Sequence, residues 1–197
     1  MKRIFILILL LISTSIYSQD FLNSYEYGTI FFKDGKTLRG HLKRSSNDEI
    51  KYKLLLNDKK KIYDYKTVKK ISFDKNKKTL HYKHDKQYVY LLEKKIEGKL
   101  DLYFKLGFNP GHMGPNGMMM GGSHYMIYYI GKEDSDAVDE LSGNVNSKDF
   151  WLYFSKYIAD CKYIIEKVKD KKSIKKNFKN KSTRLVDMIT YYNSHCE

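Results

Sequence analysis

Arginine is scarce in this 197-residue chain, standing only at Arg3, Arg39, Arg44 and Arg184, although the formal net charge is +14. The positive charge is therefore almost entirely lysine. Arginine supplies the forked contacts that read phosphates and bases, whereas lysine is a point charge. That balance argues against nucleic acid as a partner. Long apolar runs are also missing. Beyond the N-terminus no stretch approaches the about 20 apolar residues a membrane-crossing helix needs. There is no Gly-x-Ser-x-Gly elbow, no His-Glu-x-x-His and no phosphate-cradling glycine loop, so the familiar catalytic motifs are absent. Only two cysteines occur, Cys161 and Cys196.

The N-terminus carries what the rest lacks. Lys2 and Arg3 precede an unbroken apolar run over residues 4–12. Ser13, Thr14 and Ser15 follow, and Ile16, Tyr17 and Ser18 end in a small residue before Gln19. A charged start, an apolar core and a small residue at the cut form a secretory leader, predicted to be cleaved between Ser18 and Gln19. No cysteine stands at the cut, so a bacterial lipid anchor is not expected. Residues 1–18 are thus expected to be a signal peptide and 19–197 an exported chain, periplasmic or extracellular. Two thiols in such a compartment read as one disulfide, Cys161 to Cys196; the alternative is two buried free thiols.

Residues 19–131 show period-two patterning. Strands are expected over 27–32, 37–43, 49–56, 61–65, 68–73, 80–83, 88–93, 99–108 and 125–130. Asp34 and Gly35 mark a tight hairpin turn. In the 99–108 strand, Leu100, Leu102, Phe104 and Leu106 share one face and Asp101, Tyr103 and Lys105 the other. Evenly spaced short strands suggest a rolled antiparallel sheet or small barrel. Residues 109–123 hold both prolines, Pro110 and Pro115, among several glycines, and read as a mobile loop. Residues 132–146 are polar and read as a linker.

From Ser147 the period becomes 3.6. Ser147 is a candidate N-cap, with Asp149 near the positive helix end. Phe150, Phe154, Tyr157, Ile158, Cys161, Ile164, Ile165 and Val168 form an apolar stripe. The lysine-rich 167–181 stretch has room for a short helix around Ile174 and Phe178. Ser182 is placed as the cap of a last helix with Leu185, Ile189, Tyr192 and Cys196 on one face. The fold class expected is α+β, an antiparallel β-rich part followed by a helical part at 147–197 packed on it.

The segment from Gly28 through Asp34-Gly35-Lys36 to Leu42, with Lys69-Lys70-Ile71-Ser72-Phe73, resembles a β module of secreted proteins of Bacteroidota. The ending is similar too, through Asp160-Cys161 and Tyr192-Asn193-Ser194-His195-Cys196. The resemblance covers most of the exported chain. It implies a compartment and an architecture, and no activity.

One cluster has metal-ligand chemistry: His112, Met113, Met118, Met119, Met120, His124 and Met126. Thioethers and imidazoles suit Cu(I) or Ag(I). The cluster holds no acidic residue, which argues against calcium or magnesium. The bland reading is a flexible loop whose methionines form an adaptable apolar lid. His81 and His84 are three apart on an expected strand, so they point to opposite faces and make a poor metal pair. Tyrosines recur along most strands, where core packing competes with an exposed tyrosine–lysine binding face. The reading is an exported, non-enzymatic binding protein that contacts a protein or cell-surface component, with anionic lipid or acidic polysaccharide as possible contacts of its charge. It needs no cofactor. The alternatives are a periplasmic Cu(I)/Ag(I)-handling protein and an enzyme whose site is assembled from scattered residues.

Overall fold

The structure, a computed structural model, describes residues 24–113, 119–141 and 147–196. The expected leader and its expected cut at Ser18 and Gln19 lie outside the described residues, as does Met118. The chain divides into two compact units, Met1–Lys78 and Thr79–Glu197.

The first unit is five antiparallel strands: β1 (Glu26–Phe32), β2 (Thr37–Arg44), β3 (Glu49–Lys53), β4 (Lys61–Asp64) and β5 (Val68–Phe73), paired in the order β5-β1-β2-β3-β4. Period-two burial follows the sequence pattern, with Ile30, Leu42, Ile50, Tyr52, Ile71 and Phe73 inside. The β1–β2 turn is set by Gly35, whose φ of 87° is open to glycine at little cost. Phe32 N–H donates to the Lys36 carbonyl at 2.9 Å and closes it. β3 stops at Lys53, earlier than the expected run to Leu56, because Leu54 begins a turn closed by Asp58.

The second unit opens with β6 (Lys78–Asp85) and β7 (Tyr88–Ile96), then β8 (Leu100–Asn109), β9 (His112–Met113), β10 (Met119–Met120), β11 (Ser123–Lys132) and β12 (Asp139–Glu140). The order β12-β11-β8-β7-β6 is antiparallel where ladders are defined, and β8 and β11 pair over ten residues, from Leu100↔Lys132 to Asn109↔Ser123. In neither unit does the ladder return to its first strand, so the sheet is open and not a barrel. β9 and β10 form a separate two-stranded ladder inside the stretch expected to be an irregular loop.

Residues 132–146, expected as a polar linker, are partly fixed structure. His84 N–H donates to the Asp136 carbonyl and the Val138 N–H to the His84 carbonyl, both at 2.8 Å. β12 pairs with β11, and Val138 and Leu141 are buried. Two apolar side chains at the right spacing are enough to dock a segment that is otherwise charged.

Among the described residues four helices follow: α1 (Lys148–Phe154), α2 (Lys162–Val168), α3 (Lys171–Asn177) and α4 (Arg184–His195). Ser147 caps α1 as expected, its hydroxyl accepting from Phe150 N–H at 3.2 Å. The apolar stripe is not one helix. It breaks after Phe154 into tight turns, with Tyr157 N–H bonding the Phe154 carbonyl and Cys161 N–H the Ile158 carbonyl. The cap of α4 is Thr183 rather than Ser182, whose hydroxyl bonds Asn180 instead. The helices bury Phe150, Phe154, Ile158, Ile164, Leu185, Met188 and Ile189 against Leu100, Leu102 and Ile130 of the sheet. Tyr103, Tyr129, Leu92 and Val138 form a second buried cluster. At its N-terminal end β8 is thus buried at Asp101 and Tyr103 as well as at Leu100 and Leu102, while Leu106 and Phe108 near its far end are exposed, against the expected single apolar face.

Candidate functional site

The break between α1 and α2 has a cause at its end. Cys161 is extended (φ −115°, ψ 101°), and its sulfur is bonded to that of Cys196 at the end of α4, with 5.4 Å between the Cα atoms. A continuous helix through 155–161 would carry Cys161 elsewhere. The neighbouring Asp160 is tied to the same helix: the Tyr192 hydroxyl lies 2.9 Å from both carboxylate oxygens. Lys99, just before β8, adds an ion pair to Asp160 at 3.0 Å.

A cleft of about 570 Å³ opens beside this knot, within the second unit. Its strand side presents Lys99, Leu100 and Lys132, and β12 adds Asp139. Its helical side presents Tyr153, Lys156, Tyr157 and Asp160, with Tyr192 behind. That size falls in the about 300–1,000 Å³ range of small-ligand sites. The Tyr157 hydroxyl donates to Asp139 and lies 3.5 Å from the Tyr153 hydroxyl. Lys156 stands 5.6 Å from the centre of the Tyr153 ring, and Lys99 5.6 Å from that of Tyr192.

The protonation states follow from these contacts. Burial first, then the Asp139 carboxylate, pushes Tyr153 up to about 12. Burial and the bond to Asp160 likewise push Tyr192 up to about 12. Burial would raise Asp160, but Lys99 and Tyr192 outweigh it and hold the carboxyl below its usual range. The cleft thus offers the raised phenols of Tyr153 and Tyr192, a carboxylate at Asp160 already bonded on both oxygens, and the exposed lysines Lys132 and Lys156. A second hollow of about 700 Å³ lies over the disulfide, between Lys162, Tyr163, His195 and the shared Asp160. His195 stacks on Tyr191 at 4.1 Å there.

The methionine–histidine cluster lies elsewhere. The β9–β10 register sets Met113 opposite Met119 and His112 opposite Met120. His124 and Met126 are on β11, opposite Phe108 and Leu106. The His124 ring packs on Phe108 at 5.0 Å, and Met126 Sδ accepts from the Tyr128 hydroxyl at 3.2 Å. Among the described residues no group of three or more His, Cys, Asp or Glu could hold a metal ion. His81 and His84 both lie on β6.

The sequence did not mark these residues as a site, although Tyr157 and Tyr192 stood on its apolar stripes. The one available signal was Tyr153 and Tyr157 at i, i+4 spacing, which places two phenols on one side. Lys99, Lys132 and Asp139 meet through strand register and had no local signature. Among the described residues no helix is long and apolar enough to cross a membrane. The chain matches no protein-family model, no curated protein and no solved structure.

Proposed function

We propose that this is an exported binding protein whose cleft takes an acidic sugar unit of a surface polysaccharide. The observation that carries this is the state of the cleft's carboxylates. Asp160 and Asp139 are occupied by Tyr192, Lys99 and Tyr157, while Lys132 and Lys156 stay exposed. A ligand carboxylate would meet ammonium donors, and its ring and hydroxyls would meet phenol faces and edges. The carboxylates act as internal acceptors that fix the tyrosines, which suits recognition better than proton transfer.

Calorimetric titration with oligogalacturonate tests this, with a neutral galactose oligomer as control. Binding of the acidic oligomer alone is expected, weakened about tenfold or more by Lys132→Glu with Lys156→Glu. Equal binding of the neutral oligomer, or an unaffected variant, would sink the reading.

A copper-handling role is supported by one observation: the two-stranded ladder pairs four of the soft-ligand candidates, Met113 with Met119 and His112 with Met120. Anaerobic Cu(I) titration of the protein against a variant lacking residues 112–120 separates this role from the first. Tight binding that survives the deletion would count against it.

A further inference from the structure

Three consecutive leucines stand in solvent in the first unit. Leu54, Leu55 and Leu56 are 61, 64 and 54% exposed in the connection between β3 and β4. Ile62, opposite Lys51 in the β3–β4 register, is also half exposed. Single exposed apolar residues are ordinary; a contiguous aliphatic run at a hairpin tip is not.

The tip is held in this shape by its own bonds. Asp58 N–H donates to the Leu55 carbonyl at 3.0 Å, and Leu55 N–H donates back to the Asp58 carboxylate at 2.8 Å. Lys53 Nζ donates to the Leu56 carbonyl at 2.7 Å. The leucines are thus projected by a closed turn, and the turn's acidic group is used inside it. Lysines flank them in the chain: Lys53 before, and Lys59, Lys60 and Lys61, all exposed, after.

We infer that this tip docks the protein on a lipid surface bearing anionic head groups. The leucines enter the acyl boundary and the flanking lysines lie at head-group level. Both halves of the argument are chemical. Apolar burial plus attraction to anionic lipid is what holds peripheral proteins at an interface. Protein-binding hot spots instead favour Trp, Tyr and Arg, with leucine and lysine under-represented. An exposed aliphatic tip flanked by lysines fits a fluid surface better than a shaped partner. The inference is independent of the cleft reading, which concerns the other unit.

The test is vesicle co-sedimentation of the exported protein, disulfide intact and leader removed. Vesicles of phosphatidylcholine alone are compared with an equimolar mixture of phosphatidylcholine and phosphatidylglycerol. Binding is expected to the mixed vesicles. Leu54→Ser, Leu55→Ser and Leu56→Ser together should weaken it about a hundredfold or more. Lys59→Glu, Lys60→Glu and Lys61→Glu together should weaken it to a similar degree and abolish the preference for anionic vesicles. All six side chains are exposed, so an unchanged melting temperature is expected and checks the fold. Failure of the parent to bind, or full binding by the leucine variant, overturns the inference. So does vesicle-free sedimentation showing a dimer that the leucine variant dissolves, because the tip would then be covered by a second copy.

Discussion

Asn193 bonds both backbone polar groups of Leu100. Its Oδ1 accepts from the Leu100 N–H at 3.0 Å, and its Nδ2 donates to the Leu100 carbonyl at 2.9 Å. A side-chain amide on α4 thus behaves as a strand neighbour to the first residue of β8. The fit extends to Gly98, whose φ is +154° and where a Cβ would stand 2.5 Å from the Asn193 Nδ2. Glycine is needed there both for its conformation and for the space.

Replacing Asn193 by alanine should therefore cost about 2–3 kcal/mol, since two buried backbone groups lose partners at once. Asn193→Asp keeps the acceptor but sets a carboxylate oxygen against the Leu100 carbonyl, so a loss at least as large is expected. Gly98→Ala should be destabilising by about 1–3 kcal/mol through strain and collision. Urea unfolding read by circular dichroism measures all three, and an unchanged midpoint for Asn193→Ala would remove the clamp from the account.

The disulfide closes the same knot from the other side. Cys161 and Cys196 are 35 residues apart in sequence. In the chain-entropy picture a loop of that size stabilises by about 3–4 kcal/mol. The double variant Cys161→Ala, Cys196→Ala should lose about that much in urea. Because Asp160 and Tyr192 flank the bridge, the loss should be accompanied by weaker binding in the cleft. Loss of stability with unchanged ligand affinity would separate the bridge from the site.

These contacts explain which parts of the structure were legible from sequence. Strands β1, β2 and β3 follow period-two burial, and the Asp34-Gly35 turn is local chemistry. Ser147 caps α1 for the same local reason. The break before Cys161 was invisible because it is imposed from Cys196 and Tyr192, far along the chain. Asp160, Cys161, Tyr192 and Cys196 are interlocked by the disulfide and the Tyr192–Asp160 bond. The exposed leucines were missed for a related reason. An apolar run after β3 reads as more strand, and only the Asp58 turn shows otherwise. Asp101, Tyr103 and Lys105 were placed on the face opposite the leucines, and nothing local says that a second cluster takes in Tyr103.

The tyrosines of the cleft make stability fall on the alkaline side. Tyr153 and Tyr192 are raised to about 12 in the fold. Unfolded tyrosine ionises near about 10. Their contribution is fully present below about pH 10 and is lost as pH rises to about 12, where the unfolded chain has shed protons that the fold retains. Asp160 has the opposite sense. Its carboxyl is lowered in the fold, so its contribution is present above the usual value near about 3.9 and is lost as pH falls through the lower folded one. Melting temperature against pH should show both limbs. Tyr192→Phe should flatten the alkaline limb, and Asp160→Asn the acid limb; parallel curves for variant and parent would refute the assignment.

Asp101 carries the largest expected single effect. It is 1% exposed, and its oxygens are fully used. Oδ2 accepts from the Tyr103 hydroxyl at 2.7 Å and pairs with Lys94 at 3.0 Å, while Oδ1 accepts from Gly98 N–H at 3.1 Å. The Tyr103 ring lies within 5.0 Å of the Lys83 ammonium and 5.6 Å of that of Lys94. Burial, then the bond to Asp101, pushes Tyr103 far above the ordinary tyrosine range, so it remains a donor wherever the fold survives. Removing one member of such a buried set leaves uncompensated polar groups, which costs about 3–5 kcal/mol. Asp101→Ala should lose about that much, and Asp101→Asn somewhat less, since one carbonyl still accepts. Lys94→Met tests the coupling. With Lys94 gone, the further cost of Asp101→Asn should shrink by about 1 kcal/mol or more. Strict additivity in a double-mutant cycle of urea midpoints would show that Lys94 and Asp101 do not act together. Tyrosinate absorbance gives an independent check. Tyr103 should ionise only as the protein unfolds, whereas in Asp101→Ala its ionisation should move with the earlier unfolding transition.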